Sequence, residues 1–89
     1  QLGAVVGPVD SEAAKGFGLP DTRGALVNDI APGSGAEKAG IEPGDVIRRV
    51  DGQAILDFSD LPPMIGAKAP GSTVDVELLR AGKPLNKRV

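Results

Sequence analysis

Ala39-Gly40-Ile41-Glu42-Pro43-Gly44-Asp45-Val46-Ile47-Arg48-Arg49-Val50-Asp51-Gly52 reads as a helix stop, a tight turn, a half-buried strand and a second turn in succession. Gly40 suits the left-handed residue just past a helix end, where a side chain would be strained. Pro43-Gly44 suits a turn in which proline presets one φ and glycine supplies a positive one. Val46, Ile47 and Val50 then bring strand-forming apolar bulk, and Asp51-Gly52 is the kind of pair that a two-residue hairpin turn selects. A third strand over Asp45 to Val50 follows, entered from a short helix and left through a hairpin into a fourth strand around Gln53-Ala54-Ile55.

Outward toward the N terminus, Leu2 to Val6 is an apolar run closed by Gly7-Pro8 and reads as a first strand. Ser11 is the candidate cap of a short helix through Glu12-Ala13-Ala14-Lys15, which Gly16 and Gly18 end. Ala25 to Ile30 reads as a second strand, and Pro32-Gly33-Ser34-Gly35 as a turn before one helical turn, Ala36 to Ala39. Toward the C terminus, Ser59 and Asp60 are the candidate caps of the main helix, which carries Leu61, Met64, Ile65 and Ala67 before Pro70-Gly71 ends it. Because proline belongs only in the first turn, Pro62-Pro63 predicts that this helix begins late. Thr73 to Leu78 alternates apolar and acidic residues as a half-exposed strand, and a hairpin at Ala81-Gly82 returns the chain to Val89. That last residue either completes the final strand or docks on a neighbouring molecule. The sum is an α+β, mainly β fold: a partly open β-barrel or sandwich of five or six strands, with one main helix and one or two short ones.

At 89 residues the chain has room for one domain, residues 1–89, with a modest core and no separate catalytic cleft. Only two of its residues are aromatic, Phe17 and Phe58, so that core is aliphatic. Twelve acids against ten bases leave a formal charge of −2 with no basic stripe, which argues against nucleic acid as a partner. No apolar run approaches the roughly 18 residues of a membrane span, so no membrane insertion is expected. A signal peptide is not legible either, and any export signal would lie outside these residues. With no cysteine there is no disulfide and no thiolate metal site.

The inventory also argues against catalysis. Without histidine or cysteine the chain builds no Ser-His-Asp triad, no Cys-His pair and no His-rich zinc site, and neither cofactor nor metal is expected. Ser11, Ser34, Ser59 and Ser72 each neighbour a glycine or an acid and read as turn or cap residues. Of the carboxylate pairs, Asp57/Asp60 flanks a helix start and Asp75/Glu77 lies on a solvent face, so both read as structural. Gly33-x-Gly35 lacks the third glycine and the long helix that a dinucleotide fingerprint requires, and reads as a turn.

What remains is backbone chemistry at Leu2-Gly3-Ala4-Val5-Val6. An apolar-Gly-apolar loop running into a strand can aim consecutive N–H groups outward as an anion-binding nest, since Gly3 tolerates φ angles other residues resist. The strand after it can pair with an extended peptide if one edge is free. Taken by itself, the same stretch also reads simply as the start of a core strand. The pattern AGI-x-x-GDVI-x-x-V-x-G, with its flanks, closely resembles the signature of a PDZ domain over nearly the whole chain. In detail it is similar to the PDZ domains that follow the protease domain in HtrA/DegP-type serine proteases.

That resemblance implies a carboxylate-binding loop at Leu2, Gly3 and Ala4, a peptide-pairing strand at Val5 and Val6, and a second wall on the main helix. Ala4 is smaller than the Ile or Val common at its place in the family, which implies a larger pocket for the ligand's last side chain. On the helix, Leu61 and Ile65 share one face while Met64 lies beside Ile65 and in line with Ala67. Likeness to HtrA-type domains favours Ile65 with Leu61 or Pro62, and likeness to signalling PDZ domains favours Met64 and Ala67; the wall is taken here as Leu61, Met64 and Ile65. Signalling domains that read a Ser or Thr in the ligand use a histidine at the helix start, and none exists here, so an apolar ligand preference is implied. The family implies a periplasmic parent, a serine endopeptidase of protein quality control assembled from trimers through a protease domain. Its partners would be hydrophobic C-termini or extended segments of unfolded proteins. The alternatives are a PDZ domain of another envelope protease or secretion component, and a structural module that makes oligomer contacts with its groove empty.

Overall fold

The computed structural model describes residues 2–89. Its centre is β3 (Val46–Val50), released by the Pro43-Gly44 turn, in which Gly44 adopts φ 95°. Val46 and Ile47 are consecutive and fully buried, so this strand is covered on both faces. β1 (Ala4–Gly7), β2 (Ala25–Ile30), β5 (Asp75–Arg80) and β6 (Lys83–Arg88) join it in one antiparallel sheet of order β1-β2-β3-β5-β6, and the two-residue β4 (Gln53–Ala54) adds to β3. The fold is mainly β. Two hairpins close through residues with left-handed φ, Asp51-Gly52 at 49° and 80° and Ala81-Gly82 at 52° and 79°. This is the geometry whose twist matches that of the flanking strands.

On one face, Val27, Ile47, Val50, Ile55, Val76 and Leu78 form the main core with Leu2 and Leu61. Each such side chain contributes roughly 1.5–3 kcal/mol on burial. On the other face Val46 packs with Val9 and Ala14 under α1 (Ser11–Phe17). Asp45 is the buried charged side chain among the described residues, 1 % exposed. Arg80 on β5 meets it with two parallel bonds of 2.9 Å and donates a third, of 2.8 Å, to the Gly40 carbonyl. The Glu42 N–H donates to the same carboxylate at 2.8 Å, so the turn before β3 is locked from inside.

The helices differ from the sequence expectation at their ends. α1 is capped by Asp10, whose carboxylate accepts from the Ala13 N–H, rather than by Ser11; Gly18, at φ 71°, ends it, and Gly16 lies within. α2 (Gly35–Ala39) is capped by Ser34 and stopped by Gly40 at φ 86°. The main helix, expected from Ser59 to about Ala67, is a 3-10 turn (Phe58–Asp60) followed by α3 (Leu61–Gly66), with Ala67 as its C-cap. Its cap is Asp57, which forms a reciprocal capping box with Asp60. The physical reason is the proline pair. A cap at Asp60 needs N–H donors two and three residues on, and Pro62 and Pro63 have none. Gly66, and then Pro70, which biases Ala69 away from helix, set the stop near Ala67, where the sequence expects it. Val89 pairs with Val74 through 2.9 Å bonds in both directions, so its backbone is engaged within its own sheet.

Candidate functional site

Among the described residues β1 pairs with β2 alone, which leaves its outer edge without a strand partner. Ala4 and Val6 are half-buried against the core while Val5 between them is 59 % exposed, the alternation of a strand with one wet face. A register shift between Val5 and Val6 bends the strand.

The loop feeding β1 is held by its carbonyls. Leu2 C=O accepts from the Ala36 N–H at 3.1 Å, and Gly3 C=O accepts from the Ala31 N–H at 2.8 Å. Among the described residues the Leu2 and Gly3 N–H groups donate to no protein acceptor. Gly3 has φ 89°, and a Cβ built on it would lie 2.2 Å from the Ser34 Cβ. Only glycine fits both the conformation and the space. Successive amide donors presented this way can receive a carboxylate.

Across from the strand edge stands α3. Between them lies a cavity of about 520 Å³, walled by Leu2 to Val6 on one side and by Leu61, Pro62, Ile65 and Gly66 on the other. Among the described residues no charged or hydrogen-bonding side chain lines it. The structure therefore brings Leu2, Gly3, Ala4, Val5, Val6, Leu61 and Ile65 around one groove. Met64 is not among its lining residues, and like Ile65 it packs against the core. The reason is angular. One residue along a helix turns the side chain by about 100°, so a six-residue helix that aims Ile65 at the groove aims Met64 away from it.

A second cavity of about 500 Å³ continues beyond the loop and shares Leu2, Ile65 and Gly66 with the first. Lys68 lines it, its ammonium 2.8 Å from an Asp51 carboxylate oxygen. The hydrogen bond from Lys68, and then one from the Asp75 N–H, hold Asp51 below the usual carboxylate range. Pro62, offered by the likeness to HtrA-type domains as an alternative to Leu61, lines the groove together with it; Lys68 carries no periodic or motif signal in the sequence.

A sequence model of the PDZ domain matches residues 2–89. The chain belongs to the PDZ domain family. This PDZ domain is 40% identical over 88 residues to a protein named as a probable periplasmic serine endoprotease, DegP-like, from Halomonas elongata, covering 99% of the chain and 19% of that protein. It is 41% identical over 81 residues to the periplasmic pH-dependent serine endoprotease DegQ of Escherichia coli, covering 91% of the chain and 18% of the relative. The chain thus spans about a fifth of the length of these relatives. Among solved structures, the HtrA-type protease AlgW with a decapeptide superposes with a TM-score of 0.87 at 30% identity, over 99% of this chain and 27% of that one. The six-stranded antiparallel sheet described above is the fold they share.

Proposed function

We propose that this PDZ domain, taken as one module over residues 1–89, captures apolar C-termini or extended segments of unfolded proteins by adding them as a strand to the open edge of β1. The observation that carries the reading is the uncharged groove between that edge and α3, ending at the Gly3 loop. Main-chain bonds to β1 supply affinity, the amides of Leu2, Gly3 and Ala4 take the terminal carboxylate, and Ile65 and Leu61 cover alternate side chains. With no polar side chain on its wall among the described residues, the groove reads shape and hydrophobicity. Its relatives' names support placing the parent in the periplasm as a serine endopeptidase. Delivery or sensing of substrate by this domain, and trimers formed through a protease domain, are part of the proposal by family resemblance. AlgW, solved with a peptide, supports a peptide as the ligand class.

A short strand and one pocket must overcome the ordering of a flexible peptide, so affinity is expected on the order of micromolar. A screen of free-C-terminus peptides against the domain, read by fluorescence polarisation, tests this. Selection of apolar last residues is the expected result. Failure of every apolar terminus to bind removes peptide capture and leaves an oligomer-contact module.

A further inference from the structure

Two cavities meet at the Gly3 loop, and among the described residues Lys68 is the one charged side chain that lines either of them. It stands just after α3, with its ammonium on Asp51 and its side chain 36 % exposed against 33 % for its partner. Asp51 has other duties, since its second oxygen accepts from the Asp75 N–H at 2.9 Å and its own N–H donates to the Asp75 carbonyl at 2.8 Å. It is therefore fixed in place, whereas Lys68 is tethered by one half-hydrated contact at the end of a flexible stem. A pair this exposed is weakly bound, and a second carboxylate entering the cavity can share the ammonium at small cost.

We propose that Lys68 is a further recognition residue for the ligand's terminal carboxylate, held in reserve by Asp51 and shared with the ligand on binding. This rests on the reading of the groove as a site for free C-termini. The two kinds of donor do different work. Amides of the Gly3 loop orient the carboxylate at short range, while the ammonium adds a full charge whose pull reaches further and is screened by salt. Lys68 thereby gives an uncharged groove its electrostatic preference for chain ends over internal segments.

Calorimetric titration with one apolar-ended peptide, as free acid and as amide, at low and at high salt, tests the proposal. Lys68→Met keeps the unbranched stem and is expected to weaken the acid form about fivefold at low salt, to leave the amide form unchanged, and to flatten the salt dependence. Asp51→Asn retains an acceptor for the Asp75 N–H and tolerates the left-handed φ of 49°. By releasing Lys68 it is expected to tighten the acid form about twofold. If Lys68→Met leaves the acid form unchanged, or weakens acid and amide alike, the role assigned to Lys68 is wrong while the groove reading stands. Binding of neither peptide by the unaltered domain overturns the groove reading, and this one with it.

Discussion

In the proposed function Gly3 is the residue that ties backbone conformation to recognition. A side chain there meets both a φ of 89° and the Ser34 Cβ at 2.2 Å, so Gly3→Ala must displace either the loop or the start of α2. The loop is the softer of the two, since it lies at a sheet edge and is held by two hydrogen bonds to its carbonyls. Its strain is expected to cost about 1–2 kcal/mol of stability, and peptide affinity is expected to fall at least roughly tenfold as the amides lose their aim. Urea melts and peptide titration of the variant check both, and an unchanged affinity contradicts the role given to the loop. Asp21 offers a test of electrostatics away from the groove. It accepts two bonds from the Arg48 guanidinium, at 2.6 and 3.0 Å, and one from the Arg23 N–H at 2.9 Å. The Arg48 bonds first, and the Arg23 N–H second, hold its carboxyl far below the usual carboxylate range. A carboxyl so depressed in the folded state adds stability that is complete above its unfolded value of about 3.9 and fades as pH falls toward the folded one. Because 34 % of the Asp21 side chain is in solvent, about 1 kcal/mol is expected at neutral pH. Asp21→Asn is thus expected to be less stable than the parent by that amount near neutrality, with a gap that narrows below about pH 4. A gap of constant width across a pH series of urea melts contradicts it.

α3 is the element whose placement matters most to the site, and its two apolar stripes have separate fates. Ile65 lines both cavities, whereas Ile47 on β3 is completely buried whether or not a ligand is present. A carboxylate at position 65 can stay hydrated until a ligand covers it; at position 47 it must be desolvated simply to fold. Ile65→Asp is therefore expected to abolish peptide binding with the thermal transition retained, and Ile47→Asp to lose the transition altogether. A folded Ile47→Asp, or an Ile65→Asp that binds peptide normally, contradicts this division. The strands were legible in the sequence because their signals are local: Gly40, Pro43-Gly44, Asp51-Gly52 and Ala81-Gly82 punctuate the chain, and between them apolar residues alternate or run together. The apolar-Gly-apolar step at Leu2-Gly3-Ala4 is local too, but by itself it reads equally as the start of a core strand, and only the resemblance to PDZ domains points to a loop for a carboxylate. The helix face was not, because six residues span fewer than two turns and leave two stripes equally plausible until packing chooses. Its cap was misplaced because Ser59 and Asp60 look favourable until the missing N–H groups of Pro62 and Pro63 are counted. The Asp45–Arg80 pair left no signal at all, since its partners meet through the sheet and not through any spacing along the chain.

Across the whole molecule, the two edges of the sheet are treated differently. β6 carries Lys83, Pro84, Lys87 and Arg88, the charges and proline that discourage a further strand. β1, Ala4–Gly7, carries neither charge nor proline, and it faces a groove instead of open solvent. In the proposed function pairing is directed to that edge, and the Gly3 loop at its head gives the incoming strand a fixed register and an end. The central claim is that a free chain end is bound there, along β1 and at that loop. The direct measurement is a ¹⁵N–¹H correlation titration of the domain with an apolar-ended peptide as free acid and then as amide. The amide resonances of Gly3, Ala4, Val5 and Val6 are expected to shift with the acid, those of β6 to stay still, and the shifts at Gly3 and Ala4 to shrink sharply with the amide. Equal shifts from both peptides, or shifts that map to β6, would contradict the account.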